Sequence, residues 1–178
     1  MKWPELLKQL APGLTRVAVL RDPSNPAGIG HWAAIQAVAP QLRLVASPID
    51  VRNAGEIERG IGEFARTPNG GLIVLSQGLA TIYRKLIIAL AARHQLPAVY
   101  PYRNFVAEGG LLAYGPDQIE QYRGSASYID RILKGEKPAD LPVQAPTKFE
   151  MAVNLKTAKA LGLNIPASIY AIATEVIE

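Results

Sequence analysis

The sequence predicts an α/β fold, with a doubly wound parallel sheet and helices on both of its faces. Two observations carry this prediction. Short β-branched runs alternate with helical patterns in the order β-α-β-α-β-α-β over the first hundred residues. The run GGLIVLS, residues 70–76, is apolar without interruption, which is typical of a strand buried on both faces of a parallel sheet.

The individual elements follow from local patterns. Strands are predicted at residues 15–20, 43–49, 71–75 and 97–100. Helical patterns separate them at residues 30–42, 53–67 and 81–95. Asn53 and Glu56 have the spacing of a capping box, so we expect the second of these helices to begin there.

The pattern changes after Pro101. A short strand is predicted at LLAYG, residues 111–115, and a strong helix from about Pro116 to Lys134. An extended stretch then leads to a helix from about Asn154, and residues 168–177 predict a last strand.

Composition excludes several classes of function. With 49% hydrophobic and 19% charged residues among 178, the chain is globular, and no apolar run is long enough to span a membrane. The lack of cysteine excludes disulfides, thiolate metal sites and cysteine nucleophiles. The net charge of +4 is spread thinly along the chain, which argues against a nucleic-acid-binding surface.

Motifs for cofactors and catalysis are not found. The loop DPSNPAGIG lacks both GxGxxG and GxxxxGK[ST], and its prolines remove backbone donors that a phosphate would need. The two histidines, His31 and His94, lie in different sequence environments and do not indicate a metal site. A triad of Ser24, His31 and an acid lacks a nucleophile elbow. We therefore expect no cofactor, no metal and no catalytic residue.

Polar and aromatic side chains follow the predicted strands, where ligands bind in open α/β sheets. The candidate ligand-binding residues are Asp22, Ser24, Asn25, Ser76, Gln77, Tyr100, Tyr102, Tyr114 and Asp117. Taken singly, each is explained by ordinary turn chemistry. As a set they predict a site for a small polar or zwitterionic molecule.

Four stretches resemble the ABC-transporter substrate-binding proteins of the aromatic-amino-acid type, over essentially the whole chain. They are TRVAVLRDPSNP, ALAARHQLPAVYPYRNFVAEGGLLAYGPD, YIDRILKGEKPADLPVQAPTKFEMAVNLKTAKALGL and TEVIE. The resemblance implies the type I periplasmic-binding-protein fold, in which two Rossmann-like lobes joined by three crossovers close on a ligand. It also implies a membrane permease as partner.

By the same resemblance, the chain corresponds to the second lobe with its crossovers. Residues 1–178 are expected to form one α/β domain, with residues 114–140 as a crossover that would pack on the first lobe and 141–178 as the return segment. Gly115, Pro116 and Pro142 would then serve as hinge residues. Tyr114 and Asp117 would face the cleft.

The chain departs from the family pattern at its start, because a signal or lipoprotein segment and a full first lobe would precede TRVAVL. We expect a truncated form, either an engineered fragment or a shortened gene product. The family is periplasmic or lipid-anchored, whereas this chain shows no signal peptide and would stay cytoplasmic if expressed as given. A smaller departure is Ala145, where the family more often has glutamine.

The leading functional hypothesis is the solute-binding component of an ABC importer, which is non-catalytic and binds a small molecule such as an amino acid, with aromatic amino acids among the candidates. The alternatives are a ligand-sensing regulatory domain and a small hydrolase-like α/β enzyme. The helix at 116–134 carries an apolar stripe of Ile119, Tyr122, Ala126, Ile129, Ile132 and Leu133. This stripe predicts a homodimer, unless the helix folds back onto its own sheet.

Overall fold

A computed structural model of the protein describes residues 2–178. The strands are β1 Arg16–Arg21, β2 Val45–Asp50, β3 Gly70–Val74, β4 Ala98–Tyr100, β5 Leu112–Pro116, β6 Phe149–Asn154 and β7 Glu175–Ile177. The helices are α1 Lys2–Leu10, α2 Pro26–Val38, α3 Ala54–Ala65, α4 Gly78–Ile82, α5 Arg84–Arg93, α6 Arg103–Ala107, α7 Gln118–Leu133, α8 Leu155–Ala160 and α9 Ala167–Tyr170. Short 3₁₀ turns occupy Ala39–Leu42 and Pro138–Asp140.

The strands form one seven-stranded sheet in the order β2-β1-β3-β4-β5-β6-β7. The first five strands are parallel, which confirms the predicted doubly wound sheet. β6 runs antiparallel to β5, with Pro116 opposite Phe149, and β7 is parallel to β6. The reversal at β6 brings the amino end of that strand to the edge where β1, β3, β4 and β5 end.

Two apolar layers, one on each face of the sheet, confirm that helices cover both sides. On one face Leu6 and Leu7 of α1 pack with Ile35 of α2. On the other face Ile61 of α3 packs with Ile87 of α5. All five residues of β3 are buried, as its uninterrupted apolar run predicts.

Three local differences from the sequence prediction have physical causes. Helix α1 was not predicted, yet its apolar side chains form part of the core. The predicted helix at 81–95 is interrupted at Tyr83, which ends α4 and begins α5. The predicted strand at 168–177 is wrong over most of its length. Pro166 precedes helix α9, whose Ile169 is fully buried, and only Glu175–Ile177 pair as a strand.

The predicted capping box is present at the start of α3. The Asn53 side chain accepts a hydrogen bond from the Glu56 backbone N–H at 3.0 Å. The Glu56 carboxylate in turn accepts from the backbone N–H of Arg52 at 2.8 Å. The first bond satisfies a helix-terminal donor that has no partner inside the helix. The second differs from a standard capping box, because it goes to the residue before the N-cap and not to Asn53 itself.

Helix α7 lies on the outside of the molecule. Within the described chain, residues 2–178, none of its side chains is buried. Ile119, Ile129 and Leu133 are 59%, 57% and 82% exposed. The fold-back arrangement, which would hide this stripe against the sheet, is therefore not adopted. No helix within residues 2–178 is both long and apolar enough to cross a membrane.

The start of α7 is fixed by the Asp117 carboxylate. It accepts hydrogen bonds from the backbone N–H groups of Ile119 and Glu120 at 3.0 and 3.2 Å. The Lys148 ammonium lies 3.0 Å from the same carboxylate. Bonding to Lys148, and then to the two N–H groups, lowers the pKa of Asp117 below its ordinary value.

A glycine is required where β5 passes β4. A Cβ at Gly115 would collide with the backbone carbonyl of Pro101, which cannot move without displacing β4. We expect Gly115→Ala to lower the free energy of unfolding by about 2 to 3 kcal/mol. The matched control is Gly124→Ala in α7, where a Cβ meets nothing within 4 Å. Urea denaturation checks both, and an unchanged midpoint for Gly115→Ala would contradict the steric argument.

The Asp117 cap makes the order of α7 sensitive to pH. Because the pKa is lower in the folded state, the stabilisation is complete above the ordinary carboxyl pKa and is lost as pH falls through the lowered value. We expect the amino-terminal turns of α7 to fray at acid pH. Asp117→Asn should keep the cap but lose this pH dependence, whereas Asp117→Ala should fray at neutral pH. NMR chemical shifts of α7 measure the effect, and Asp117→Asn titrating like the wild type would disprove it.

Candidate functional site

A cavity of about 580 Å³ opens at the edge where the parallel strands end, and we call it the strand-edge pocket. Its size is typical of sites for small molecules. Its lining residues come from α1, α2, the ends of β3, β4 and β5, the start of β6, and α7. They are Lys2, Trp3, His31, Ser76, Pro101, Tyr102, Tyr114, Gly115, Pro116, Gln121 and Phe149.

The strand arrangement explains why these residues meet. Ser76 follows β3, Tyr102 follows β4, and Tyr114 lies within β5, so parallel pairing brings all three to the same edge. Phe149 joins them because β6 is antiparallel and begins at that edge. The site therefore combines residues separated by up to 147 positions in sequence (Lys2 to Phe149).

Aromatic rings hold one another in place around the pocket. The rings of Tyr114 and Phe149 are stacked, with centroids 5.6 Å apart. Trp3 and His31 meet edge to face at 5.5 Å. The Trp3 indole N–H donates a hydrogen bond to the Tyr114 carbonyl oxygen at 2.7 Å. This bond ties α1 to β5 and uses the only polar atom of the indole, so Trp3 presents an apolar surface to the pocket.

Hydroxyl and amide groups lie beside these rings. The Ser76 hydroxyl is hydrogen bonded to the Tyr102 hydroxyl. The next residue, Gln77, accepts the backbone N–H of Asp22 through its side-chain oxygen. Two buried nitrogens, Gln77 Nε2 and His31 Nδ1, have no hydrogen-bond partner among the residues that the structure describes. Buried polar atoms without partners are costly, and such atoms are commonly satisfied by water or a ligand.

Of the nine candidate residues, the structure brings Ser76, Tyr102 and Tyr114 to the pocket. Gln77, the next residue after Ser76, is buried and does not line the pocket. Tyr100 is directed elsewhere, since its side chain is 1% exposed and stacks on Phe105 within the core. Burial raises the pKa of the Tyr100 phenol. Tyr102 lies beyond the end of β4, as the residue that precedes α6, so its side chain does not follow the strand and can face the pocket while Tyr100 stays in the core.

The loop after β1 uses its polar groups locally. The Asp22 carboxylate accepts hydrogen bonds from the backbone N–H and the hydroxyl of Ser24, at 2.9 and 2.6 Å. These bonds lower the pKa of Asp22. The Asn25 side chain caps α2 by accepting from Ala27 N–H at 3.1 Å. Within the described chain, none of Asp22, Ser24 and Asn25 lines the strand-edge pocket.

The three hinge candidates are divided between two cavities. Gly115 and Pro116 line the strand-edge pocket. The third hinge candidate, Pro142, lines a separate groove of about 690 Å³ between α7 and the segment 138–148. The ligand-binding candidate Asp117 lines this groove too, and not the strand-edge pocket. The Pro142 carbonyl in that groove accepts a hydrogen bond from the Tyr128 hydroxyl at 2.6 Å.

Sequence reasoning missed several pocket residues. Lys2 and Trp3 belong to α1, whose amphipathic pattern KWPELLKQL was a signal available in the sequence. His31 was considered only as a catalytic or metal-binding group. Phe149 has no local signal, because it reaches the pocket through the antiparallel pairing of β6 with β5.

Neither a metal-binding cluster nor the triad of Ser24 and His31 is found in the part of the chain that the structure describes. Residues 2–178 contain no cluster of three or more histidine, aspartate or glutamate side chains that could hold a metal ion. The Ser24 hydroxyl donates to Asp22, and His31 Nδ1 has no described partner, so these side chains do not form a triad.

Comparison with known structures shows the same fold in three proteins. A Streptococcus pneumoniae ABC domain in complex with L-Trp superposes with a TM-score of 0.90 at 24% identity, over 99% of this chain and 61% of that one. A conserved domain protein from Vibrio cholerae gives 0.89 at 20% identity, over 97% and 58%. The open, ligand-free structure of a Clostridium difficile substrate-binding protein with adhesive properties gives 0.71 at 22% identity, over 99% and 59%.

The chain thus spans about three-fifths of the length of these structures. No curated protein matches its sequence. The family model described as ABC transporter substrate binding protein matches residues 2–177. The predicted resemblance is confirmed, and the chain belongs to the ABC transporter substrate-binding protein family.

Proposed function

We propose that this chain is one lobe of the solute-binding component of an ABC importer, and that its strand-edge pocket holds one side of a small molecule such as an amino acid. The observation that carries the proposal is the meeting of Ser76, Tyr102 and Tyr114 in one cavity. Hydroxyls beside fixed aromatic rings suit a ligand with both polar and apolar parts. The L-Trp named with the Streptococcus pneumoniae structure supports an aromatic amino acid as the first solute to test.

Gly115 and Pro116 are proposed as hinge residues, with Pro142 in the second connection. Support comes from their position. At this edge β5 leads out of the sheet to α7, and the segment 138–148 leads back into β6. We further propose a membrane permease as partner, and a periplasmic or lipid-anchored location for the working receptor, from the family.

The lobe is proposed to bind its solute without converting it. The hydrolase alternative would need a nucleophile beside a base, and Ser24 and His31 are not paired in the described residues. A regulatory sensor of the same fold would bind a solute in the same way. The transport receptor and the regulatory sensor differ in the partner protein that recognises the solute-bound form.

Binding of aromatic amino acids tests the site. We expect L-tryptophan or L-tyrosine to shift NMR signals of pocket residues, with an affinity weaker than micromolar, because one lobe buries only about half of the ligand surface. Tyr102→Phe should weaken binding about fivefold by removing one hydroxyl. Tyr122→Phe, on the exposed surface of α7, is the matched control and should change nothing. Micromolar binding by a verified monomer would contradict the one-lobe proposal.

We also propose that the 178-residue chain forms a homodimer through α7. The apolar stripe is exposed, with Tyr122 at 78% and Leu133 at 82%. Burying each such side chain is worth roughly 1.5 to 3 kcal/mol. Antiparallel pairing of two α7 helices would also place the acidic first turn of each near the basic last turn of the other, since Glu120 lies in the first and Arg131 in the last.

The oligomeric state can be measured by light scattering at tens of micromolar. We expect a dimer mass for the wild type and a monomer for Ile129→Asp, because a charge would then interrupt the stripe. Ser127→Asp adds the same charge about 160° away around the helix and should leave the dimer intact. A monomer mass for the wild type would reject the homodimer.

A further inference from the structure

The polar side chains that line the strand-edge pocket include a positively charged group and no described carboxylate. Its lining includes the Lys2 ammonium, the His31 ring, the Gln121 amide and three hydroxyl-bearing side chains, which are Ser76, Tyr102 and Tyr114. Among residues 2–178, no aspartate or glutamate lines it. The neighbouring carboxylate of Asp117 is engaged by Lys148 and by the first N–H groups of α7. The lobe therefore offers a positive charge and several groups that can donate, and its described lining residues include no carboxylate that could act as a counter-ion for a cation.

The buried Gln77 amide is a further donor at the end of β3, although Gln77 is not one of the residues that line the pocket. Gln77 is 6% exposed, and its side-chain oxygen is identified by the Asp22 backbone N–H that it accepts. The remaining group is therefore an NH₂, which can only donate. It has no acceptor among the described residues. Gln77 follows the lining residue Ser76, so this donor belongs to the same end of β3 as the pocket.

The apolar part of the pocket is already assembled. Trp3 is held by its bond to the Tyr114 carbonyl, and Tyr114 is stacked on Phe149. Rings fixed in this way present flat apolar surfaces without further loss of side-chain freedom. An apolar or aromatic body fits these walls.

We propose that this lobe recognises the carboxylate end of an apolar or aromatic carboxylic acid, and that it contributes nothing to the recognition of an amino group. The proposal rests on the proposed solute-binding function and narrows it. An aromatic cage can also attract a cation through its ring faces. Lys2 at the same pocket opposes that outcome, because like charges repel in a partly enclosed site.

Three probes with the same phenyl ring and a two- or three-carbon chain separate these cases. The first, 3-phenylpropionate, carries only a carboxylate, and the second, phenethylamine, carries only an amine. The third, L-phenylalanine, carries both groups. Titrations of the 178-residue chain are followed by NMR at constant ionic strength. The chain contains only two tryptophans and two histidines, so the signals of Trp3 and His31 can be assigned readily.

We expect 3-phenylpropionate to bind within about threefold of L-phenylalanine, and phenethylamine to bind at least about tenfold more weakly. Phenethylamine binding as well as 3-phenylpropionate would overturn this inference and leave the solute-binding function standing. If no probe shifts any pocket signal up to its solubility, both the proposed site and this inference are wrong.

A charge reversal provides the second test. Lys2 is exposed, so Lys2→Glu should fold normally. It should weaken 3-phenylpropionate by at least about fivefold and strengthen phenethylamine. Lys156→Glu on α8 makes the same change of net charge away from the pocket lining and is the matched control. Equal effects of the two variants would show that Lys2 acts only through net charge, and would overturn its assigned role.

Discussion

Burial of the central strands on both faces governs where this protein can place polar side chains. Every residue of β3 is buried, as are the middle residues of β1, and helices cover both faces of the sheet. Uncompensated polar groups are too costly in such layers. They are displaced to the strand ends, and the carboxyl ends of parallel strands meet at one edge. The strand-edge pocket is the result of this constraint.

The antiparallel direction of β6 places the connections to α7 at this same edge of the sheet. Because β5 leads out to α7 and β6 returns antiparallel beside it, both connections to the outer helix lie next to the pocket. The Cβ-free backbone at Gly115 lets β5 pass close to Pro101. Asp117 and Lys148 then join the outgoing and returning segments by an ion pair. A ligand that contacts the rings of Tyr114 and Phe149 would touch the residues that precede and follow this junction.

Helix α7 differs from the other α-helices of the described chain in that none of its residues is buried. A solvated helix of this length is marginal on its own, and its order depends on caps and local ion pairs. Such pairs are present along it, between Glu120 and Arg123 and between Asp130 and Lys134. They stabilise the helix while its apolar stripe stays exposed.

The parallel sheet was predictable from local pattern, because uninterrupted apolar runs and their regular alternation with helices are visible in the amino-acid sequence. The sequence also predicted that Ser76, Tyr102 and Tyr114 would meet at one edge of the sheet, because each lies at or just beyond the carboxyl end of a parallel strand. It could not separate Tyr102 from Tyr100, or recognise that Asp22, Ser24 and Asn25 bond within their own loop.

The other residues of the candidate site could be found only from the folded chain. Trp3 and Phe149 lie far apart in the chain, and both reach the pocket through long-range contacts: the bond from Trp3 to Tyr114 and the antiparallel pairing of β6. The Gln77 oxygen accepts a hydrogen bond from the backbone N–H of Asp22, in the loop after β1, and its NH₂ group is left without a partner among the described residues. Local sequence does not indicate this. Local pattern fixes strands and helices, whereas the polarity of a pocket depends on which side-chain groups remain without partners after distant segments have packed.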